Sequence, residues 1–449
     1  MSKHMFLALF LAILMAGCQM SPAAVPVSGV MPAQVIDEPM GEPAPPGEAP
    51  PSQAAITANA PTEVLARPAQ TQTTRGPLDV EVRAVWISFL ELGPWLQGRT
   101  EAQFTATVRE AFDNIQDFGL NTVIVQVRPF ADALYDSNYF PWSHIATGVE
   151  GQHPGFDPLE IMVEEARARN LRIEAWINPY RIRHNVNNHP LAQDSPAMPW
   201  IDDGSGRVAV APTGFATFNP ASEYVQDLII NGVRELVRNY DIDGIHIDDY
   251  FYPKTGTNFD YTFDSAAFRA YQSAGGTLSH GDWRRQSVDE LIRMMYLAIK
   301  EENPNALFGI SPQSNIEVNY ERLFFDVERA VRAGYFDYIC PQIYFGFNHA
   351  TMPFEQTLAR WGELVSGTDV KLYIGLAAYK AGLYDTWAGS GAAEWQRYTN
   401  LLARKVQLSR NAQNYAGFVL FRYDSIFSPA QGLQSHIQQE NANLLNILD

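Results

Sequence analysis

The chain has 449 residues, is 46% hydrophobic and 12% aromatic, and carries a formal net charge of -18. It is long enough to bury a large core, with segments to spare beyond one ordinary domain. Its acidity argues against nucleic acid as a partner, because phosphate binding needs a basic surface that this composition does not supply.

The N-terminus reads as a targeting signal. Lys3 and His4 precede an apolar run from Met5 to Met15, followed by Ala16, Gly17 and Cys18. That run is too short to span a bilayer as a mature helix. Met15-Ala-Gly-Cys18 resembles a bacterial lipobox, which implies cleavage after residue 17 and fatty acylation of Cys18. The other reading is an ordinary secretory signal that happens to hold a cysteine. The one further cysteine, Cys340, would have no disulfide partner once Cys18 is acylated, and is read as a buried small hydrophobe. Gln19 stands where an aspartate is associated with inner-membrane retention, so in a cell with two membranes the outer one is expected, facing the periplasm. Residues 18–77 are rich in Pro and Ala with almost no aromatics. They cannot bury enough surface to offset chain entropy and read as a disordered, semi-extended tether.

From Val82 onward, short apolar runs alternate with amphipathic stretches. Strands are predicted at 82–89, 122–129, 172–180, 244–250, 307–313, 338–345, 372–379 and 417–424. Helices are predicted at 101–118, 158–169, 221–239, 284–302, 321–333, 354–365, 394–410 and 430–447. In the first of these, Phe104, Val108, Phe112, Ile115 and Phe118 recur at helical spacing. Eight strand-helix units without an internal repeat point to a single (β/α)8 TIM barrel over 78–449. A doubly wound open sheet is the alternative, but no Gly-rich phosphate turn follows the first strand. Long loops are expected after strands two, three and four, at 130–157, 182–220 and 251–283, and short ones elsewhere. Such loops suit a groove for an extended polymer. Phe130, Tyr135, Tyr139, Phe140, Trp142, Trp200, Tyr250 and Tyr252 lie in or beside them; half are expected to stack on sugar rings and half to anchor their own loops.

In a barrel the active face lies at the C-terminal strand ends, and alternation decides which side chains point inward. Parity sends inward Trp86, Ser88, Gln126, Arg128, Glu174, Trp176, Asn178, Tyr180, His246, Asp248, Tyr250, Ser311, Gln313, Gln342, Tyr344, Tyr379, Arg422 and Asp424. Asp249 is expected to point away from the axis, where it would orient neighbours or cap the next helix.

Several motifs occur in order: Glu81-Val-Arg-Ala-Val-Trp-Ile-Ser88, Gly119-Leu-Asn-Thr-Val-Ile-Val-Gln-Val-Arg-Pro129, Asp132-Ala-Leu-Tyr135, Pro141-Trp-Ser143, Glu174-Ala-Trp-Ile-Asn-Pro-Tyr-Arg181 and Asp243-Gly-Ile-His-Ile-Asp-Asp-Tyr-Phe-Tyr-Pro253. Together they resemble the glycosyl-hydrolase-like 10 family across residues 80 to 430. The resemblance implies a TIM-barrel glycoside hydrolase, often a lipoprotein or secreted protein of the bacterial envelope. In layout the chain is similar to a divisome-localised lipoprotein glycosidase of that family, which implies peptidoglycan strands lacking stem peptides as substrate and the division or cell-wall machinery as a partner. More distantly, Asp243-Gly-Ile-His-Ile-Asp248 is similar to the fourth strand of α-amylase-type enzymes, which implies that Asp248 is the nucleophile, although His246 stands where those enzymes have arginine.

Glycoside hydrolysis uses two carboxyl groups, one ionised and one protonated. With Asp248 as nucleophile or base, the acid is sought in Glu317, four residues after Gln313, or in Asp424 beside Arg422. The bland readings are a solvated loop charge for Glu317 and a salt-bridge partner of Arg422 for Asp424. Arg128, Arg181 or Arg422 could recognise a carboxylate on the glycan, or pair internally with the aspartates. Trp176, Asn178, Tyr180, His246, Tyr250, Gln313, Gln342, Tyr344 and Tyr379 complete the expected binding surface. No cofactor or metal is expected: His144, His153, His184 and His189 lie in loops without the spacing of a recognisable zinc site. A metal-dependent deacetylase built on Asp248, Asp249 and a loop histidine is one alternative. A glycan-binding lipoprotein without a working acid is the other, favoured by the absence of a glutamate at the end of strand five.

Overall fold

The computed structural model describes residues 79–184, 189–201, 203–212, 214–253 and 262–448. The expected signal peptide, the tether and Cys18 lie outside the described residues. Eight strands close into a parallel barrel: β1 (Val82–Ile87), β2 (Thr122–Arg128), β3 (Arg172–Ile177), β4 (Gly244–Ile247), β5 (Leu307–Ile310), β6 (Tyr338–Ile339), β7 (Lys371–Ala377) and β8 (Tyr415–Phe421). Going round the ring, β1 is bonded to β8 on one side and to β2 on the other. The outer ring is built mainly from α1 (Glu101–Asp117), α2 (Pro158–Ala168), α3 (Glu223–Asn239), α4 (His280–Glu302), α5 (Val327–Arg332), α6 (Phe354–Val365), α7 (Leu401–Ser409) and α8 (Gln434–Leu445).

The local causes are visible in the chain. Thr100 and Gln103 form a capping box that starts α1, satisfying backbone N–H groups the helix leaves unpaired. Phe104, Val108, Ala111, Phe112 and Ile115 then bury one stripe against the sheet. Gly119, at φ +77, ends the helix in the left-handed conformation that costs glycine nothing. Apolar packing falls into two shells. Between sheet and helices lies a continuous layer that includes Val125, Ile173, Ile245, Ile247, Phe308 and Trp361. Inside the barrel a smaller cluster joins Ala84, Trp86, Ile124, Trp176, Tyr338, Cys340 and Tyr373. Cys340 is buried, as expected. Asp243, which opens the most conspicuous motif, belongs to the strand entrance: its Oδ2 accepts from Ile173 N at 2.8 Å and pairs with Arg167 at 2.7 Å.

The connections differ from expectation in three places. The segment after β3 folds into an antiparallel three-stranded sheet of Arg181–Arg183, Val208–Val210 and Ala216–Phe218. The segment after β4 holds an extra helix, Ser265–Ser273. The connection after β7 is also long: the helix predicted at 394–410 divides into Glu394–Arg397 and α7, and residues 378–400 form a fourth extended loop.

Candidate active site

The floor of the barrel mouth is built on the end of β4. This strand stops at Ile247, so strict alternation stops there too. Asp248 and Asp249 both turn into the mouth, and both are buried. The expectation that Asp249 points away is therefore corrected. Asp248 Oδ1 accepts from Asn178 Nδ2 at 2.6 Å and from Tyr250 N at 3.3 Å, and Oδ2 accepts from Trp176 Nε1 at 3.2 Å. Asp249 accepts the side-chain amides of Gln313, at very short range, and of Gln342 at 3.3 Å. Gln342 also donates to Ser311 O at 2.9 Å, so the ends of β5 and β6 clamp Asp249.

Burial, and then the neighbouring Asp249 carboxylate, push the Asp248 carboxyl up to about 7, against the pull of Arg181 and Asn178. Asn178 is itself fixed by Gln126, whose Nε2 donates to its Oδ1 at 2.6 Å. Arg181 lies between Phe130 and Tyr250, with its guanidinium carbon 4.7 and 4.4 Å from their ring centroids. Tyr344 is close enough to feel both aspartates, and burial lifts its hydroxyl far above the usual range. Its ring meets Tyr379 and Phe421, at centroid distances of 5.8 and 5.7 Å.

Beneath this floor lies a polar chain through the barrel interior. His246 Nε2 meets Trp86 Nε1 at 3.3 Å and Ser311 Oγ at 2.9 Å, and Nδ1 meets the Tyr338 hydroxyl at 2.8 Å. Tyr338 donates onward to Glu174 Oε2 at 2.5 Å. The network places the ring proton on Nδ1, since Tyr338 uses its own proton on Glu174. Burial holds His246 down at about 3 and raises Glu174 to about 7. His246 is thus a satisfied interior histidine that supports the floor from below, with no exposed surface for a ligand.

Five further expected positions leave the floor. Arg128 is turned out by a bulge: Gln126 pairs with Trp176 but Arg128 with Ile177, so one extra residue reverses the parity. Its guanidinium is buried over Phe140 at 4.2 Å, beside Tyr135 and Glu235. Tyr180 has no exposed surface and packs into the outer apolar layer. Glu317 lies on a short helix, Ile316–Arg322, where it pairs with Arg360 of α6 and is half exposed, a surface ion pair in contrast to the buried carboxyls of the floor. Arg422 is held by Glu91 at 2.5 Å and lies 3.5 Å from Asp424. Asp424, raised to about 6 by burial and by Glu91, is a rim carboxylate in that ion-pair group.

Glu91 is the partner that sequence reasoning missed. It is fully buried, closes a capping box on Ser88 and anchors Arg422; the Ser-x-x-Glu spacing at 88–91 was the available signal. Also missed are Tyr384 and Trp387, exposed by 56% and 65% on the loop after β7. Large aromatics inside the Gly-bounded stretch 382–389, outside any apolar periodicity, could have marked them. Of the loop aromatics, Phe130, Tyr135, Phe140 and Tyr252 are buried anchors, while Tyr139, Trp142, Trp200 and Tyr250 keep exposed surface. The loop histidines also change standing. His144 and His189 stack with ring centroids 3.6 Å apart, and with Asp132 and Glu150 they place donor atoms within 4.8 Å of one another.

Residues 81–387 match the family described as glycosyl hydrolase-like 10. The chain belongs to this glycosyl hydrolase-like 10 family. One member, glycosyl hydrolase YngK of Bacillus subtilis, is 37% identical over 322 residues, covering 67% of this chain and 61% of YngK. The chain thus spans less than two thirds of that relative's length. Glycosyl hydrolase DigH of Escherichia coli K12 is 30% identical over 413 residues, covering 83% of this chain and 89% of DigH. Among solved structures, the glycoside hydrolase domain of PgaB (BpsB) from Bordetella bronchiseptica superposes with a TM-score of 0.54 at 13% identity, over 80% of this chain and 99% of that one. The β-amylase catalytic domain of Paenibacillus polymyxa gives 0.52 at 10% identity, over 82% and 98%. At those identities the structural likeness speaks for the barrel alone. Membership of the glycosyl hydrolase-like 10 family makes the chain glycosidase-like at the level of fold and family.

Proposed function

We propose that this barrel hydrolyses a polymeric glycan of the bacterial envelope, with Asp248 and Asp249 as the working carboxyl pair. The observation that carries the reading is their convergence on one floor with unequal surroundings. Burial and the adjacent Asp249 raise Asp248 despite the three N–H groups it accepts, while Asp249 is held by the side-chain amides of Gln313 and Gln342. In this reading Asp248 donates its proton to the departing glycosidic oxygen while the Asp249 carboxylate faces the positive charge that develops at the anomeric carbon; water then adds to that carbon and its proton returns to Asp248. The proposed substrate is peptidoglycan freed of its stem peptides, supported by the layout resemblance, the lipobox-like sequence Met15-Ala-Gly-Cys18 and the aromatic-lined mouth. Lipidation at Cys18 would place the enzyme on the periplasmic face of the outer membrane, within reach of the division or cell-wall machinery.

Incubation with amidase-treated peptidoglycan is expected to yield shorter strands with new reducing ends. Asp248→Asn should lose at least about three orders of magnitude in rate while still binding the strands, because it removes a group used mainly in the transition state. In the native enzyme, kcat/KM should fall as pH rises above about 7, where Asp248 loses its proton, and the variant should lose that limb. A limb falling on the acid side instead would make Asp248 the base. Binding without products, in wild type and variant alike, would support the glycan-binding reading favoured by the lack of a carboxylate on β5. Arg181 is the arginine that remains at the floor. Arg181→Ala should lower the preference for a carboxylate-bearing glycan over its carboxyl-reduced form, and an unchanged ratio would remove Arg181 from substrate recognition.

A further inference from the structure

We propose that Asp132, His144, Glu150 and His189 form a binding site for a divalent transition-metal ion of the zinc class, separate from the carboxyl floor. Asp132, His144 and Glu150 come from the loop after β2 and His189 from the segment after β3, and one donor atom of each lies within 4.8 Å of the others. The two loops approach closely here: a Cβ on Gly151 would lie 2.9 Å from the Cβ of Ala192.

The hydrogen bonding leaves ligating atoms over. Asp132 Oδ2 accepts from His144 N at 3.1 Å and meets Nδ1 of the same ring at 2.6 Å. This carboxylate-imidazole arrangement fixes ring orientation and tautomer in metal sites, and it directs Nε2 to the ion. His144 Nε2 and Asp132 Oδ1 are both buried without a hydrogen-bond partner. The residues themselves are 7% and 0% exposed. Leaving such atoms unsatisfied carries the full desolvation penalty of a buried polar group. Glu150 and His189 are engaged with each other beside them: Glu150 Oε1 accepts from Ala192 N at 3.2 Å and Oε2 meets His189 Nε2 at 2.8 Å, a contact an ion would take over. A reading as two loop-stapling histidine-carboxylate pairs accounts for the contacts made and leaves the two orphaned atoms unexplained.

Two imidazoles with carboxylates are the donor set of zinc and its neighbours, whereas calcium and magnesium favour all-oxygen shells. Closure on an ion requires two local movements: the 2.8 Å contact between Glu150 and His189 opens, and the stacked His144 and His189 rings, 3.6 Å apart, splay so that a nitrogen of each points to a shared centre about 2 Å away. The site touches the floor indirectly. The His144 ring lies 5.4 Å from Phe130, on which Arg181 rests. An ion here would fix the wall against which Arg181 is set.

The test uses the full-length protein, stripped by chelator and then titrated with Zn2+ by calorimetry, with metal content measured after excess is removed. About one ion per chain is expected, with a melting temperature that rises with free Zn2+. His144→Ala and His189→Ala should lose that ion and the thermal response. Asp132→Asn should weaken binding about 10- to 100-fold, as loss of an orienting partner does. His280→Ala, which removes one partner of Asp264 elsewhere and leaves its Arg284 pair, should change neither. Wild type that takes up no Zn2+ at micromolar concentration, or His189→Ala and Asp132→Asn chains that keep the native circular dichroism and bind like wild type, would overturn the site. Should His144→Ala fail to fold, these last two variants still decide.

Discussion

Two buried residues, Glu174 and His246, pull the pH dependence of stability in opposite directions through the tyrosine between them. Burial raises Glu174 from 4.5 to about 7, so the native state holds a proton that the unfolded chain releases. Its contribution is complete below about pH 4.5 and declines as pH rises through 7, by about 1.4 kcal/mol per unit at most. His246, lowered from 6.5 to about 3, contributes stability that is complete above 6.5 and lost as pH falls towards 3. Between pH 4.5 and 6.5 the two slopes oppose each other. Glu174→Gln removes one of them, so its stability relative to wild type should improve between pH 5 and pH 7 in denaturant titrations. A difference that is the same at both pH values would show that Glu174 titrates in the folded protein much as it does in the unfolded chain.

At the scale of strands and helices, glycine decides how tightly the interior layers close. A Cβ at Gly309 on β5 would lie 1.9 Å from Cζ of Tyr338, the residue that joins His246 to Glu174. Gly309→Ala must therefore displace Tyr338, and a loss of about 2–4 kcal/mol is expected, with a lower melting temperature and a changed tyrosine environment in near-ultraviolet circular dichroism. An unchanged melting curve would mean that the layer is loose. The same elements show what can be read from sequence. The eight strands, their order and most of the helices follow from apolar periodicity, and parity holds wherever a strand is regular, as at Trp176, His246 and Gln126. It fails where backbone pairing changes. The bulge beside Val127 turns Arg128 outward, and the end of β4 at Ile247 lets Asp249 join Asp248. Neither event has a local residue signature, because both are set by neighbouring strands. Glu317 and Arg360 meet through tertiary packing across 43 positions, beyond the reach of motif or spacing.

At the scale of the whole molecule, the mouth is surrounded by four long connections, and the one after β7 displays Leu383, Tyr384 and Trp387 to solvent. Such aromatics suit sugar rings some distance from the floor, where they would add binding equally in ground and transition states. Tyr384→Ala with Trp387→Ala is accordingly expected to raise KM for long strands several-fold and leave kcat and the turnover of short fragments unchanged. A fall in kcat with KM constant would place this loop in the chemistry. The closed ring bears on how the protein behaves at high concentration. Every barrel strand is bonded on both sides, so the barrel offers no open row of amides on which a second chain could extend the sheet. The open rows of the small sheet belong to Arg181–Arg183 and Val208–Val210, each three residues long. That is too short to template a stable addition, so among the described residues the topology alone gives resistance to edge-to-edge aggregation.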